Sequence, residues 1–208
     1  MVFLMQLEYF KAKGLLDKHG ISSIESRYVG SANEAVGFAS NKPIVLKGIS
    51  DKALHKSKAG LVMTSLADND GIEKAYSELG KKARSLAPYK IIAQKMARQG
   101  VEIILGGRED PQFGKLVLLG LGGIYVEAFK DFALRVCPIT RYDAQDMIQQ
   151  LKSRNIITYN GKAEALLEEL LIKTSRLLED SADIKELDLN PVIVREDGYD
   201  VVDIRVLV

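Results

Sequence analysis

The amino-acid sequence predicts an α+β fold. Segments of strand and helix type are mixed along the chain, but in the second half a strand follows a strand more often than a helix does. Two apolar runs near the C-terminus flank Asp197-Gly198, and an Asp-Gly pair in that position is a strong signal for a β-hairpin. These observations favour α+β over a doubly wound parallel sheet.

Composition excludes several classes of protein. The chain has 208 residues, 29 Lys and Arg against 28 Asp and Glu, and 47% apolar types, which indicates a globular protein rather than a dedicated nucleic-acid binder. Its single cysteine, Cys137, cannot form an internal disulfide or a cysteine zinc site. No signal-peptide pattern and no membrane-spanning apolar run is visible, so we expect a cytoplasmic protein without membrane contact.

The first lobe is expected to contain three helices and two short strands. Apolar residues at helical spacing define each helix, Gly20 is a stop signal, and Ser31 with Glu34 is typical of a capping box. The predicted elements are helices over 6–19, 31–40 and 70–87, and strands over 43–47 and 60–66.

The second lobe is expected to be richer in strands. Pro88 interrupts the chain after the third helix, so we place the boundary there, with lobes at 1–88 and 89–208. Thr140 and Asp143 mark the start of one helix. The predicted elements are helices over 140–153 and 163–179, and strands over 91–95, 101–108, 115–121, 124–126, 132–139, 186–194 and 200–207.

Lys47 and the loop that follows it could bind phosphate. Lys47 ends an apolar strand, where it could either reach water or hold a phosphate from a rigid element. The loop 50–60 contains three lysines, two serines, His55 and Gly60, without the spacing of a P-loop. A neutral imidazole such as that of His55 can accept a phosphoryl group. A solvated charged loop is the alternative.

The C-terminal hairpin carries possible metal ligands. Asp188 and Asn190 lie two residues apart on a strand and therefore share a face, and a two-residue turn at Asp197-Gly198 would place Asp203 on that face too. Carboxylate and amide oxygens suit Mg²⁺, particularly when phosphates supply further ligands. An ordinary solvent-exposed face of an edge hairpin is the alternative.

Taken in order, seven segments resemble those of a known family. They are Val45-Leu-Lys47, Leu54-His-Lys-Ser57 with Gly60, Gln94-Lys-Met96, Glu102, Arg108-Glu-Asp-Pro-Gln-Phe-Gly114, Gly120-Leu-Gly-Gly-Ile124 with Glu127, and Leu187-Asp-Leu-Asn-Pro191. This set resembles the ATP-grasp domain of the NDP-forming acyl-CoA synthetases, and specifically the β subunit of the ADP-forming acetyl-CoA synthetases. The resemblance runs over nearly the whole chain.

The resemblance implies a two-lobed ATP-grasp fold with ATP or ADP bound between the lobes. It assigns Mg²⁺ to Asp188, Asn190 and Asp203, and it makes His55 a second phosphohistidine that carries a phosphoryl group from the partner subunit to ADP. The residues that it assigns to the nucleotide site are Lys47, Lys56, Ser57, Gly60, Gln94, Lys95, Met96 and Glu102.

The resemblance also implies a partner and a reaction. The CoA-binding lobes of the family are not recognisable here, so they would come from an α subunit, in an α₂β₂ heterotetramer or a similar assembly. The reaction would be acyl-CoA + ADP + phosphate ⇌ acid + CoA + ATP, with the acyl group and the choice between ADP and GDP left open. A non-catalytic nucleotide-sensing or scaffolding subunit with the same fold is the alternative.

Overall fold

The protein is described by a computed structural model over residues 4–50, 60–123 and 130–208. In chain order the elements are α1 (Tyr9–Lys18), β1 (Ser26–Tyr28), α2 (Ala32–Ala39), β2 (Ile44–Ile49), β3 (Val62–Leu66), α3 (Asn69–Ala83), β4 (Lys90–Lys95), β5 (Val101–Asp110), β6 (Gly114–Leu121), β7 (Phe132–Val136), α4 (Arg141–Gln150), α5 (Arg154–Ile157), α6 (Glu164–Asp180), β8 (Glu186–Arg195), β9 (Gly198–Val201) and β10 (Arg205–Leu207).

The chain forms two compact units whose boundaries differ from the predicted ones. The smaller unit is Ile24–Ala97, and the larger unit combines the residues up to Ser23 with Arg98–Val208. Pro88 therefore lies inside the smaller unit, because β4 pairs with both β1 and β2 and completes that unit's sheet. The N-terminal segment joins the larger unit because the backbone N–H of Leu7 donates to the carbonyl of Val206 at 2.8 Å.

The smaller unit is an antiparallel sheet, in the order β1-β4-β2-β3, with α2 and α3 on one face. Its core joins Ile44 and Leu46 of the sheet to Ile72 and Leu79 of α3, all of them at most 1% exposed. α2 begins as predicted, because the Ser31 side chain accepts a hydrogen bond from the backbone N–H of Glu34. The apolar stripe of the predicted helix 70–87 continues past α3 into a 3₁₀ turn at Arg84–Leu86.

The larger unit is an antiparallel sheet in the order β10-β8-β5-β6-β7, with β9 also paired to β8. The long helix α6 packs on one face, where its leucines are buried. A Cβ atom at Gly107 of β5 would lie 2.4 Å from Cδ1 of Leu178, so only glycine lets the helix approach the sheet this closely. The opposite face carries the residues described below.

Most predicted elements are present, with some differences. β1 and α5 were not predicted, since neither three residues nor a single turn is long enough to show a periodic pattern. The strand expected over 200–207 is two strands, β9 and β10, and the helix expected over 140–153 ends at Gln150. The strand expected over 124–126 lies outside the described residues. Within the described ranges, no helix is both long and apolar enough to span a bilayer.

Candidate functional site

In the smaller unit, two predicted site residues lie on the sheet face that the helices do not cover. Lys47 of β2 pairs with Ile92 of β4, and Val45 pairs with Gln94. Directly paired residues share a face of a sheet, so Lys47 and Gln94 are diagonal neighbours, about 7–8 Å apart. Their exposed fractions are only 5% and 0%. The fold therefore holds an ammonium and an amide on its two inner strands.

Part of the segment Gln94–Met96 has a structural role. The Lys95 ammonium donates to the carbonyls of Phe38 and Ala39 at 2.5 and 3.3 Å, which satisfies the C-terminal end of α2. The backbone N–H groups of Lys95 and Met96 donate to Glu25 and Pro43. The Lys95 side chain is thus explained by structure, whereas the Met96 side chain is 38% exposed and accessible to a ligand.

The loop with the proposed phosphohistidine is anchored at both ends. His55, Lys56 and Ser57 lie outside the described residues. Before them, the Ser50 hydroxyl donates to the Leu86 carbonyl at 2.6 Å. After them, Gly60 has φ +65°, a left-handed conformation that favours glycine. The loop therefore leaves and re-enters the smaller unit at defined positions next to β2 and β3.

In the larger unit, the glycine motif packs directly on Glu102. The backbone N–H of Gly122 donates to the Glu102 carbonyl at 2.8 Å. A Cβ atom at Gly122 would lie 2.9 Å from the Glu102 carbonyl carbon, and one at Gly123 would lie 3.1 Å from the carboxylate. The sequence singled out these two features separately, and the structure brings them together because only glycine permits this approach.

The C-terminal hairpin has a different turn from the predicted one. Arg195 pairs with Gly198, so the two turn residues are Glu196 and Asp197 rather than the predicted Asp197-Gly198. The register consequently moves by two residues, and Val192 faces Val201 instead of Asp203. A shift of two alone preserves the face of every side chain, but Asp203 lies between β9 and β10 rather than in a strand. That Asn190 and Asp203 share a face stays a prediction.

Backbone hydrogen bonding supports this register. The N–H of Val202 donates to the carbonyl of Pro191 at 3.0 Å, and Asp188 pairs with Arg205 further along. Asn190 and Asp203 lie between these two sets of paired residues. On its other side, β8 contains an irregularity opposite Ile103–Leu105. Such bulges often re-aim side chains beside functional sites.

Asp188 has a different environment from the other two predicted metal ligands. Its carboxylate lies 3.4 Å from Nη2 of Arg205. Burial raises the pKa of Asp188 above its ordinary value, and the neighbouring carboxylates of Glu186 and Asp203 act in the same direction, while Arg205 opposes them. Asp188 thus lies beside a guanidinium and two other carboxylates. Among the described residues, no group of three or more His, Cys, Asp or Glu has metal-binding geometry.

Two arginines of the same region were not predicted as site residues. Arg108 and Arg205 line a pocket of about 590 Å³ together with Glu186, Asp188 and Asn190. Arg205 follows the predicted metal ligand Asp203 by two residues, a proximity that the sequence offered. Arg108 gave no such signal, because its position depends on the pairing of β5 with β8.

The two-sheet architecture and these residues define an ATP-grasp domain. A family model described as an ATP-grasp domain matches residues 5–208. The chain belongs to this family. Within it, the β subunit of acetate–CoA ligase (ADP-forming) II of Pyrococcus furiosus is 36% identical over 95% of this chain and 89% of that subunit. Some relatives are longer single chains, of whose length this chain spans 29% or 30%.

Solved structures show the same relationship. A dinucleotide-forming acetyl-coenzyme A synthetase 1 of Ca. Korarchaeum cryptofilum, with coenzyme A and Ca-AMPCP, matches with a TM-score of 0.90 and 35% identity, over 98% of this chain and 93% of that chain. A second structure of that protein contains Mg-AMPPCP, and its phosphohistidine segment points towards the nucleotide-binding site. It matches with a TM-score of 0.83 and 34% identity over the same shares of the two chains.

Proposed function

We propose that the chain is the nucleotide-binding β subunit of an ADP-forming acyl-CoA ligase, which catalyses acyl-CoA + ADP + phosphate ⇌ acid + CoA + ATP. The observation that carries this proposal is the family match over residues 5–208, together with the near-complete coverage of a ligase β subunit. The identity of the acyl group, which the partner subunit would determine, stays open.

Nucleotide binding is assigned to residues that the fold holds rigidly. Lys47 sits on an inner strand and would bind phosphate with little loss of side-chain entropy. Gln94, Met96 and Glu102 would contact the nucleoside. Lys56, Ser57 and Gly60 of the loop would approach the phosphates through an ammonium, a hydroxyl and a backbone N–H group.

Asn190 and Asp203 would hold Mg²⁺. Their side chains would present one amide and one carboxylate oxygen, which fits a cation that keeps several waters and takes its remaining ligands from phosphate. The bound ion would neutralise phosphate charge, which phosphoryl transfer requires more than covalent chemistry. Asp188 would orient Arg205 instead of binding the ion directly.

His55 would relay the phosphoryl group. Its imidazole nitrogen would attack the phosphorus of the partner subunit's phosphohistidine, so that the partner's N–P bond breaks as a new one forms at His55. The terminal oxygen of ADP would then attack the same phosphorus, releasing His55 and forming ATP. The phosphohistidine segment of the Korarchaeum relative, which points towards its nucleotide site, supports this assignment.

The assembly would include a CoA-binding α subunit, in an α₂β₂ or similar arrangement, in the cytoplasm. Relatives named as β subunits support the presence of a partner. The single cysteine, Cys137, is buried and unpaired and is consistent with a reducing compartment.

The test is reconstitution with a candidate α subunit, followed by a screen of acids and nucleotides for CoA thioester formation. His55→Ala should abolish thioester formation and the acid-labile label from radiolabelled ATP. The matched control is His19→Gln, because His19, the only other histidine, contacts Leu15 and Asp180 as part of the fold. Full turnover by His55→Ala would exclude the relay. Nucleotide binding without turnover in any reconstituted complex would favour the sensing or scaffolding alternative.

A further inference from the structure

We infer that Arg108 and Arg205 form a subsite for a phosphate oxyanion on the helix-free face of the larger sheet. The inference rests on the proposed function and deepens it, because it names two anion-binding residues that neither the sequence nor the family match assigned. The ligand would be either the terminal phosphate of the nucleotide or free inorganic phosphate, which share the same oxyanion chemistry.

Strand pairing fixes the positions of the two guanidinium groups. Arg108 of β5 pairs with Glu186 of β8, and Arg205 of β10 pairs with Asp188 of β8. Directly paired residues share a face, and so do alternate residues of one strand, so all four side chains lie on the same face. They border one pocket of about 590 Å³, a size typical of ligand sites.

Two carboxylates orient the Arg205 guanidinium, but they occupy only some of its N–H donors. Its contacts to Glu186 and Asp188 are both made by Nη2. A guanidinium has five N–H donors in a planar fork. Among the described residues, Nε and Nη1 of Arg205 have no partner. The two carboxylates therefore hold the side chain in place, while the N–H groups on Nε and Nη1 remain available to donate single hydrogen bonds to an oxyanion.

Arg108 supplies a second cation that is paired with neither carboxylate. Its side chain is exposed and lines the pocket, and in the part of the chain that the structure describes it makes no ion pair or hydrogen bond. The formal charges of the two arginines, Glu186 and Asp188 balance, but both carboxylates contact Arg205 and neither contacts Arg108. The Arg108 guanidinium is therefore available to an anion that enters the pocket.

A glycine borders the pocket beside Asp188. Gly106 of β5 pairs with Asp188 of β8 and lines the pocket. A Cβ atom there would lie 2.4 Å from the Leu187 carbonyl oxygen, so the strand geometry admits only glycine. Asp203 lies two residues before Arg205 in the chain, so their Cα atoms are at most about 7 Å apart. A phosphate at Arg205 could therefore also reach a cation bound by Asp203.

The test compares three variants of the full chain. Arg108→Gln removes a charge without breaking any contact between described residues. Arg205→Lys keeps a charge for Glu186 and Asp188 but loses the fork. Arg176→Gln is the matched control, because Arg176 is an exposed arginine on α6, on the other face of the sheet. Affinities for Mg·ADP are measured by calorimetry and for inorganic phosphate by NMR titration, and urea unfolding checks that each variant is folded.

We expect Arg108→Gln to weaken binding of one or both anions about tenfold, the effect of losing one charge-assisted hydrogen bond, and Arg176→Gln to weaken neither. Weakening of Mg·ADP identifies the nucleotide phosphate as ligand, and weakening of phosphate alone identifies the free anion. Unchanged affinity for both anions in Arg108→Gln overturns the subsite, whether or not Arg205→Lys folds. Arg108-dependent phosphate binding by a chain that binds no nucleotide would refute the proposed function and leave the subsite standing.

Discussion

The two units present their site residues in opposite ways. In the smaller unit, Lys47 and Gln94 are almost completely buried on inner strands. In the larger unit, Asn190 and Arg108 are exposed, and the charged groups around them are paired with one another. Under the proposed function, the smaller unit would therefore provide a rigid, preorganised phosphate contact, whereas the larger unit would provide residues that can be changed with little effect on folding.

The largest effect is expected from Lys47→Met, which removes the charge at similar volume. Mg·ADP affinity should fall about a hundredfold, since a positioned ammonium on phosphate contributes up to about 3 kcal/mol. Calorimetry measures the affinity, and urea unfolding shows whether the fold is retained. A folded Lys47→Met variant with unchanged Mg·ADP affinity would contradict the phosphate contact assigned to the smaller unit.

Smaller effects on binding are expected from Asn190→Ala and Asp203→Ala. Each should weaken Mg·ADP binding about tenfold, because one of two protein oxygens is lost while water and phosphate still bind the ion. Binding of ADP without Mg²⁺ should not change. A titration of Mg²⁺ at fixed ADP separates the two cases, and equal weakening with and without the ion would argue against the metal assignment.

Stability in the larger unit should depend on capping more than on site residues. The carboxylate of Asp131 accepts hydrogen bonds from the backbone N–H groups of Lys152 and Ser153 at 2.9 and 2.8 Å. Asp131→Ala should therefore lower the free energy of unfolding at pH 7 by about 1–3 kcal/mol. Urea unfolding of both proteins measures this difference.

Asp131→Ala should also remove a pH dependence of the free energy of unfolding. Burial acts to raise the pKa of Asp131, but the hydrogen bonds to Ser153 and to the two N–H groups outweigh it, and the pKa is lower than its ordinary 3.8. A carboxyl with a depressed pKa in the folded state stabilises it above pH 3.8 and loses that contribution as the pH falls through the folded value. The difference between wild type and Asp131→Ala should shrink below pH 3.8. A constant difference over that range would contradict this account.

The smallest effect is expected at the tip of the hairpin that carries the metal ligands. Arg98 makes two bonds to Asp197, at 3.0 and 3.1 Å, but both side chains are more than 60% exposed. Arg98→Ala should change the free energy of unfolding by less than about 1 kcal/mol, because solvent screens such pairs. A larger loss of unfolding free energy would show that the hairpin tolerates substitution less well than the comparison of the two units requires.

The sequence predicted the elements whose periodicity is long, such as α3 and α6, and the hairpin whose turn residues are distinctive. It could not predict β1, since three residues carry no period, or the domain boundary, since β4 joins its sheet through pairing with distant strands. Among site residues, the hairpin pattern predicted that Asn190 and Asp203 share a face, although the turn lies one residue earlier than predicted. The engagement of Asp188 by Arg205 and the position of Arg108 depend on registers between strands that a single sequence does not specify.

The central claim is that the chain is a nucleotide-binding subunit, and calorimetry of the isolated chain with Mg·ADP and Mg·ATP tests it most directly. The account predicts saturable binding of at least one of them at millimolar or lower concentration, with no thioester formed until an α subunit is added. Folded protein that produces no binding heat with either nucleotide at millimolar concentration would contradict it.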